Sequence, residues 1–446
     1  MKSFVEVAEF YEHLTHHIVP GPNSYSYFVP FLLLPLALLT PPSVLSRSQL
    51  AFLFLPAIFA CQIHSWYAAG IDVISVDLAL WSFVLLVCRD PRKTHRRIWI
   101  STPSVSDEKR PSETVEDIVV EEAYPEKMAQ RIPWVFTLLV SLRLTGWKIG
   151  DPSHDKTQPP ARLSRSAFLR HAVKTVVQSY LILDAAAFYA WTDPYFTTSG
   201  MEVDQPFPPP NAQMATWLVT LRLLPPRFLR SCVLAGQIYA MVTGMFYVPL
   251  IPMVGLNAVG ILPYEWSPHT WPLPFGRFSA IPERGLRGLW GDWWHGVNRQ
   301  FTAPPGRSLA QALGIPTKSI TGFALLMISA FFFSGVMHMG LIPPEPETSL
   351  VSPRWMRLHI AGFFWAQIPA FGLELAVSKL VARFIPQALD WSMTRALVIA
   401  WTAAWLCLTL PLMAVPFREL GYWHYHPVPV SLLQGLSGKG LWTWTW

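Results

Sequence analysis

Hydrophobic residues in this chain are gathered into runs that are long enough to cross a lipid bilayer. A largely uncharged run of about 18 residues or more is typical of a transmembrane helix. Eight such runs lie at about 26–41, 49–66, 71–88, 172–192, 231–250, 320–342, 358–378 and 396–415. The pattern predicts an all-α polytopic membrane protein with about eight transmembrane helices and additional interfacial helices. We expect residues 1–446 to form one integral-membrane domain.

The composition supports a membrane protein. Hydrophobic residues make up 52% of the 446 residues and charged residues 14%, against about 25% charged in an ordinary soluble domain. The four cysteines lie in or beside apolar runs without paired spacing, which indicates neither a disulfide framework nor a cysteine-ligated metal. They are Cys61, Cys88, Cys232 and Cys407.

The distribution of basic residues predicts the topology. Arg89, Arg92, Lys93, Arg96 and Arg97 directly follow the third run, so the positive-inside rule places the loop 90–130 in the cytosol. The Ser, Pro, Glu and Asp content of that loop predicts partial disorder. A second loop, 263–319, is also rich in arginine and is predicted to be cytosolic. Because the net charge of +6 is concentrated beside membrane segments, we expect no nucleic-acid partner.

The N-terminus carries Glu6, Glu9 and Glu12 where a signal peptide would be basic, so we expect no cleavable signal peptide.

Three stretches are harder to assign. Trp134–Gly150 is apolar but short and predicts an interfacial helix. Arg222, Arg227 and Arg230 lie on the side predicted to be lumenal, so either residues 215–224 form a re-entrant helix or the number of crossings differs here. The prolines and glycines within 231–262 predict a broken helix, which is tolerated at membrane depth only where it is buried in protein or lines a cavity.

The most unusual stretch is Leu289–Gln300, which reads Leu-Trp-Gly-Asp-Trp-Trp-His-Gly-Val-Asn-Arg-Gln. As a helix, it would place Gly291, His295 and Arg299 on one face and the tryptophans on an apolar stripe. An ordinary interfacial tryptophan belt is the simpler alternative. A belt, however, does not require Asp, His, Asn and Arg together on one face.

His338 lies about eighteen residues into the sixth apolar run, within Ser-Gly-Val-Met-His. Ser334 precedes it by four residues and Gly335 by three, so both share its helical face. Ionisable residues at membrane depth usually mark a functional site, although a hydrogen-bonded core histidine is an alternative. A neutral imidazole accepts a proton from a hydroxyl when it is positioned within hydrogen-bonding reach.

These two blocks resemble the membrane-bound O-acyltransferase superfamily. Trp290–Arg299 is similar to its Asp-Trp-Trp-Asn or Trp-Trp-His motif, and Ser334–His338 to its Ser-Gly-x-x-His segment with the catalytic histidine. The fungal wax-synthase-like branch fits best, many of whose members acetylate terpenoid and polyketide hydroxyls. Arg143, Gly146 and Trp147 resemble the Arg-Gly-x-Gly-Trp stretch of that branch, but Leu144 stands where its first glycine would be. His295 also stands where many members have asparagine.

The resemblance implies direct transfer of an acetyl group from acetyl-CoA, or another acyl-CoA, to a hydroxyl of a lipophilic secondary metabolite such as a terpenoid, meroterpenoid or polyketide. His338 would take the hydroxyl proton, and His295 would bind the oxyanion, handle a proton or hold the geometry. Residues expected to position the substrate or CoA are Asp292, Trp294, Asn298, Arg299 and Ser334. No bound cofactor and no metal are expected, and the endoplasmic reticulum membrane is the expected location. Long-chain wax-ester synthesis from an acyl-CoA and an alcohol is the alternative.

The sequence gives weaker support for other classes of function. A membrane transporter would use Asp72, Asp77, Asp184 and Glu374 as coupling groups, but the chain lacks a detectable internal repeat. A prenyltransferase or terpene cyclase would need the pair Asp151 and Asp155, which lies in a proline-containing loop. The histidine groups 13, 16, 17 and 424, 426 lack carboxylate partners at the spacing of metal ligands.

Overall fold

A computed structural model shows the architecture of the chain. It describes residues 2–3, 5–6, 8–9, 25–101, 118–141, 143–150, 164–210, 216–263, 266–271, 273–344, 351–384, 391–438 and 440–445.

The described residues are mostly helical. The helices of the first half are α1 Tyr25–Leu39, α2 Arg47–Ala69, α3 Val73–Phe83, α4 Pro91–Thr94, α5 Met128–Val140, α6 Arg165–Ala190, α7 Thr216–Leu221 and α8 Pro226–Ala258. Those of the second half are α9 Ala280–Gly288, α10 Arg299–Thr302, α11 Pro304–Ala312, α12 Ile320–Met339, α13 Pro353–Phe384, α14 Trp391–Glu419 and α15 Leu432–Leu436. Single π-helical turns follow α3 and α9, at Val84–Cys88 and Leu289–Trp293. Short 3₁₀ helices are Pro194–Phe196, Pro268–Thr270 and Tyr422–His424.

All eight predicted runs are helical, which confirms an all-α membrane protein. Within the described residues, five helices are both long and apolar enough to cross a bilayer, namely α2, α8, α12, α13 and α14. The helix α1 and the segment formed by α3 with its π turn are apolar but shorter. The helix α6 is 26 residues long but begins with the charged Arg165, Arg170 and Lys174. Length and composition therefore support five crossings directly, fewer than the eight expected.

In the part of the chain that the structure describes, five short strands accompany the helices: β1 Lys2–Ser3, β2 His95–Ser101, β3 Ile118–Glu122, β4 Trp147–Ile149 and β5 Trp444–Thr445. The strand β2 is central in an antiparallel sheet of order β3-β2-β4, and β1 pairs in parallel with β5. Part of the predicted cytosolic loop 90–130 is thus strand, while residues 102–117, where much of its disorder was expected, lie outside the described residues. The helix predicted over Trp134–Gly150 begins earlier and ends at Val140, because the chain turns there to enter β4.

The helix α8 is continuous where a break was expected. It runs for 33 residues through Pro249 and Pro252. The prediction of a broken helix over 231–262 is therefore wrong. The preceding α7 has six residues and is too short to cross or re-enter a membrane on its own.

The arginines that conflicted with the predicted topology are bound within their own region. Arg230 is fully buried and forms a bidentate ion pair with Asp193, at 2.8 and 2.9 Å. It also donates to the carbonyls of Val203 and Gln205, each at 2.8 Å. Arg227 pairs with Asp204 near the surface. Since their charges are neutralised or bound to backbone carbonyls, these residues are weak topology signals.

Two hydrophobic cores meet at α12. Phe331 of α12 belongs to a core that includes Leu286, Leu289 and Phe363, whereas Met337 belongs to a second core with Trp81 and Phe301. The tryptophan-rich stretch therefore begins in one core, at Leu289, and reaches the other directly after its end, at Phe301. Anchored at both ends, it lies along the junction of the two cores beside α12.

We predict that Arg230→Met destabilises the protein by about 3–5 kcal/mol, because it leaves the Asp193 carboxylate buried without its partner. Arg227→Met serves as the matched control, since its pair with Asp204 is solvent-exposed and removal of such a pair costs about 1 kcal/mol or less. Thermal unfolding of the detergent-solubilised proteins measures both effects. Equal midpoints for the two variants would contradict the role assigned to Arg230.

Candidate active site

The tryptophan-rich stretch is not a continuous helix. The π-helical turn Leu289–Trp293 ends at Trp294, whose backbone is extended, and helix resumes only at Arg299. Gly291, His295 and Arg299 therefore do not form the helical face that the spacing predicted. The π turn and the extended backbone instead turn Trp293, Trp294 and His295 into separate directions.

Buried polar contacts from α13 fix the start of this stretch. Gly285 has a φ of +60°, and the Glu374 carboxylate lies where a Cβ atom would be. Glu374 accepts the Leu286 amide at 2.8 Å, the Arg287 Nε at 3.3 Å and the Trp401 indole at 3.2 Å. Two turns earlier on α13, the buried Gln367 accepts the Trp290 indole N–H at 3.2 Å.

Gln367 in turn donates to the carbonyl of Phe363 at 2.9 Å, so its side chain is held in place. These contacts set the direction in which the π turn leaves α9. Their effect is to hold the following Trp-Trp-His segment against α12 and α13.

Aromatic side chains enclose the turn. Phe275 packs against Tyr239 of α8, Trp293 and Trp294, with ring centroids 4.8–5.4 Å apart. Tyr239 also stacks on Trp293. The ring of Trp294 lies 5.0 Å from that of His295. The segment is therefore lined by flat apolar surface on several sides, which suits a lipophilic molecule.

His295 is a polar group within these aromatic surroundings. Its buried Nδ1 atom has no hydrogen-bond partner. Burial, followed by the charges of His338 and Arg143, lowers the pKa of His295 to about 4. The imidazole is therefore neutral at physiological pH, and it lies close enough to His338 for the two rings to interact electrostatically.

Arg143 approaches the site from the turn between α5 and β4. Its guanidinium donates to the carbonyl of Leu273 at 2.7 Å and lies near Gly296, the residue after His295. Burial lowers the pKa of Arg143 to about 10, which still leaves it charged at neutral pH. This arginine supports the backbone on both sides of the Trp-Trp-His segment.

Leu144, beside Arg143, has a φ of +53° and is the non-glycine residue that adopts the left-handed region in the described part of the chain. Glycine adopts that region freely, whereas other residues pay about 1–2 kcal/mol. At this position, a leucine therefore adopts the left-handed backbone conformation that glycine would adopt without strain. Its buried side chain in the second core offsets the strain, which explains how the chain departs from the Arg-Gly-x-Gly-Trp pattern without losing the turn.

His338 lies near the end of α12 and is held from both sides. Its Nδ1 atom is 2.7 Å from the carbonyl oxygen of Ser334, one turn earlier, and its ring packs on Phe364 of α13 at 4.1 Å. A carbonyl oxygen only accepts hydrogen bonds, so Nδ1 carries a hydrogen, and in the neutral imidazole Nε2 keeps its lone pair. The backbone carbonyl of Ser334, one turn earlier on the same helical face, therefore sets the tautomer.

Gly335 makes room for the close packing of α12 on α13. A Cβ atom at this position would meet the indole of Trp365 at 2.5 Å and the carbonyl oxygen of Ala361 at 3.2 Å. Trp365 also donates to the carbonyl of Phe332 at 3.3 Å. A tryptophan thus packs closely against this glycine, and the packing keeps α13, with Phe364, against the His338 ring.

Asn298 ties the tryptophan-rich stretch to the helix that carries His338. Its amide lies 3.2 Å from the sulfur of Met337, the residue immediately before His338. The backbone carbonyl of Asn298 also accepts a hydrogen bond from the hydroxyl of Thr302. The amide is therefore engaged in holding the loop, which leaves His295 as the polar side chain of this stretch with an unpartnered buried nitrogen.

The remaining predicted residues shape the loop. Asp292 pairs with Arg284 of α9, and Arg299 donates to the carbonyl of Gly291 at 3.0 Å. Trp294 packs against Trp290, at 5.8 Å between ring centroids. The structure brings His295, Asn298 and His338 together, while Asp292 and Arg299 lie on the exposed side of the loop.

Sequence reasoning missed several supporting residues: Tyr239, Phe275, Gln367 and the positioning role of Glu374. The first two are ordinary aromatic residues, and no local pattern distinguishes them. Glu374 could have been recognised as important, because it is a carboxylate within an apolar run. From the sequence, it was assigned only to the transporter alternative.

The other carboxylates of the transporter alternative mostly have structural contacts. Asp72 caps α3 by accepting the Ser75 amide at 2.9 Å. Asp184 accepts the Leu433 amide at 3.2 Å. The Oδ1 atom of Asp77 is buried without a hydrogen-bond partner.

No group of metal-binding side chains occurs among the described residues. His426 binds the carbonyl of Val428. The pair Asp151 and Asp155 and the histidines 13, 16 and 17 lie outside the described residues.

Comparison with known proteins gives relatives from fungi. Acetyltransferase aurG of Calcarisporium arbuscula is 26% identical over 299 residues, which cover 66% of this chain and 67% of the relative. Acetyltransferase ple2 of Rhodocybe pseudopiperita is 25% identical over 286 residues, covering 64% of this chain and 66% of the relative. The chain thus spans about two thirds of the length of these relatives. No solved structure shows significant similarity.

A family model also matches. The model of the membrane bound O-acyl transferase family matches residues 271–346, a region that contains both the Trp-Trp-His segment and His338. The resemblance seen in the two sequence blocks is therefore confirmed. Residues 271–346 are thus similar to the membrane bound O-acyl transferase family, and about two thirds of the chain is similar to fungal acetyltransferases; together these similarities support an O-acyltransferase enzyme.

Proposed function

We propose that this protein transfers an acetyl group from acetyl-CoA to a hydroxyl of a lipophilic secondary metabolite, such as a terpenoid, meroterpenoid or polyketide, in the endoplasmic reticulum membrane. The observation that carries the proposal is the position of His338, which has Nδ1 bound to a carbonyl, Nε2 left as a base, and His295 within electrostatic reach. The names of the fungal relatives support acetyl as the group transferred. The aromatic surroundings of His295 support a lipophilic acceptor.

The reaction needs no covalent enzyme intermediate. The Nε2 atom of His338 takes the proton of the acceptor hydroxyl while the oxygen attacks the thioester carbonyl carbon. The tetrahedral intermediate then collapses with cleavage of the C–S bond, and the departing CoA thiolate takes the proton from the His338 imidazolium. The products are the acetate ester and free CoA, and His338 returns to its neutral form.

His295 has the properties of the oxyanion donor in this scheme. A neutral imidazole carries one N–H, and the unpartnered Nδ1 atom lies among apolar rings, where a hydrogen bond to developing charge is strong. Asn298 suits that role less well because its amide is directed to Met337. Asp292 and Arg299 act on the loop that presents Trp294 and His295, and Ser334 acts through its carbonyl.

The alternative reaction within this family is long-chain wax-ester synthesis. Microsomes containing the protein, supplied with labelled acetyl-CoA or palmitoyl-CoA and a panel of terpenoid, polyketide and fatty alcohols, separate the two. We expect label from acetyl-CoA in terpenoid or polyketide esters. Transfer of palmitate to a fatty alcohol, without acetyl transfer, would replace the proposal with wax-ester synthesis.

We predict that His338→Ala lowers kcat by about 10²–10⁴-fold, the usual contribution of a general base, with normal expression and membrane insertion. His359→Ala is a matched control. His359 lies on α13, binds the carbonyl of Trp355 one turn earlier and packs on an aromatic ring, as His338 does, but it belongs to neither motif block. Microsomal acetyl transfer measures both variants; normal turnover by His338→Ala would falsify the assignment of the base.

The low pKa of His295 predicts the pH dependence. With a pKa of about 4, below the ordinary value of about 6.5, His295 stays neutral from about pH 5.5 upwards and contributes no ionisation to activity in that range. The variant His295→Asn keeps an N–H donor, so we expect kcat to fall by about tenfold or less, against about 10²–10³-fold for His295→Ala. The pH profiles of the parent and His295→Asn should have the same shape from about pH 5.5 to 8. Loss of an inflection near neutrality in His295→Asn would show that His295 titrates during the reaction.

A further inference from the structure

A basic cavity of about 450 Å³ lies where three separate parts of the chain meet. Arg47 at the start of α2, Arg89 and Lys93 around the start of α4, and Arg307 of α11 all line it. Its volume is within the range of small-molecule sites, about 300–1,000 Å³. The cavity lies outside the groups that form the Trp-Trp-His segment and the His338 helix.

The positive charge of this cavity is not cancelled by its own carboxylate. Asp90 is the acidic residue of the lining, and both of its oxygens accept from Arg92, each at 2.9 Å. Arg92 also donates to the carbonyls of Thr40 and Leu45, at 2.9 and 3.0 Å, and it is not one of the lining residues of the cavity. Four basic side chains therefore line the cavity, together with one carboxylate that is already paired.

All the basic residues of the cavity fall on the side of the membrane that the sequence predicts to be cytosolic. Residues 89–97 begin one predicted cytosolic loop, and Arg307 lies in the other. Arg47 lies between the first two apolar runs, on the same predicted side. Water-soluble anions made in the cytosol therefore have access to the cavity from that side.

The cavity is joined to the candidate active site by direct contacts. Arg89 donates to the side-chain oxygen of Gln300, the last residue of the tryptophan-rich stretch, at 3.4 Å. The amide of Gly306, immediately before Arg307, donates to Ser329 of α12 at 3.0 Å. Ser329 and His338 are nine residues apart on the same helix, which corresponds to about 14 Å along its axis. An extended pantetheine arm spans a separation of this order.

We infer that this basic cavity binds the phosphate groups of the acyl-CoA donor, with Arg307 and Lys93 as principal contacts. The inference rests on the proposed function. The 3′-phosphate and diphosphate of CoA together carry about four negative charges at neutral pH, which matches the four basic side chains. Binding the nucleotide end here leaves the thioester end free to reach the space between His295 and His338 along α12.

The test compares two double variants of equal charge change. Arg307→Gln with Lys93→Gln removes two charges from the cavity. Arg170→Gln with Lys174→Gln removes two exposed charges from α6, outside the cavity, and is the control. Arg307→Lys, which keeps the charge, checks that the cavity position tolerates substitution.

The kinetic readout uses two acetyl donors. We expect the cavity variant to raise KM for acetyl-CoA about tenfold or more, since each lost charge-assisted hydrogen bond weakens binding substantially, while kcat stays close to that of the parent. With S-acetyl-pantetheine, which lacks the phosphates, kcat/KM should be the same for the parent and the variant. An unchanged KM for acetyl-CoA, or an equal loss with both donors, overturns the inference and leaves the proposed function standing.

Equilibrium binding of labelled CoA to the purified protein in detergent gives an answer independent of turnover. Loss of CoA binding in the cavity variant alone supports the inference even if no acetyl transfer is detected, in which case the proposed function fails separately. A lipid phosphate is the other source of the same chemistry. If the cavity variant binds CoA like the parent but loses the thermal stabilisation given by phosphatidylinositol phosphate in phosphatidylcholine vesicles, the site belongs to a lipid headgroup and the inference is wrong.

Discussion

The packing of α12 between two hydrophobic cores is the constraint on which the site depends. Phe331 lies in one core and Met337 in the other, so the helix cannot slide or rotate without disturbing both. The tryptophan-rich stretch is anchored in the same two cores, through Leu289 and Phe301. Because the loop and the helix share their supports, His295 and His338 are held near each other although they are 43 residues apart in the chain.

Polar contacts then set the orientation of the reactive groups within this frame. Glu374 and Gln367 direct the π turn from α13, and the Ser334 carbonyl selects the tautomer of His338. Burial keeps His295 neutral by lowering its pKa. The site therefore presents a neutral His295 and the imidazole of His338 among aromatic rings, a setting suited to moving a proton from a hydroxyl and to stabilising the charge that follows.

Much of this arrangement was predictable from sequence, and the errors have physical causes. All eight apolar runs are helices because apolar periodicity and length are strong local signals. The helix predicted for Leu289–Gln300 was wrong because the local periodicity contains no information on the hydrogen bonds to Glu374 and Gln367. These two residues belong to a helix about 80 residues later in the chain. Pro249 and Pro252 predicted a break, yet α8 continues through both. Arg230 gave a misleading signal for the topology prediction, because its buried partner, Asp193, lies in a loop with no recognisable sequence pattern. The roles of His295 and His338 were proposed from sequence and stay predictions.

The most direct test of the central claim, that these two histidines form one site, is a double-mutant cycle on kcat/KM for acetyl transfer with His295→Ala, His338→Ala and the double variant. Groups that act on the same transition state are strongly non-additive. The account predicts that the double variant is barely slower than His338→Ala alone. A double variant whose loss equals the product of the two single losses would show that the histidines act independently and would contradict the account.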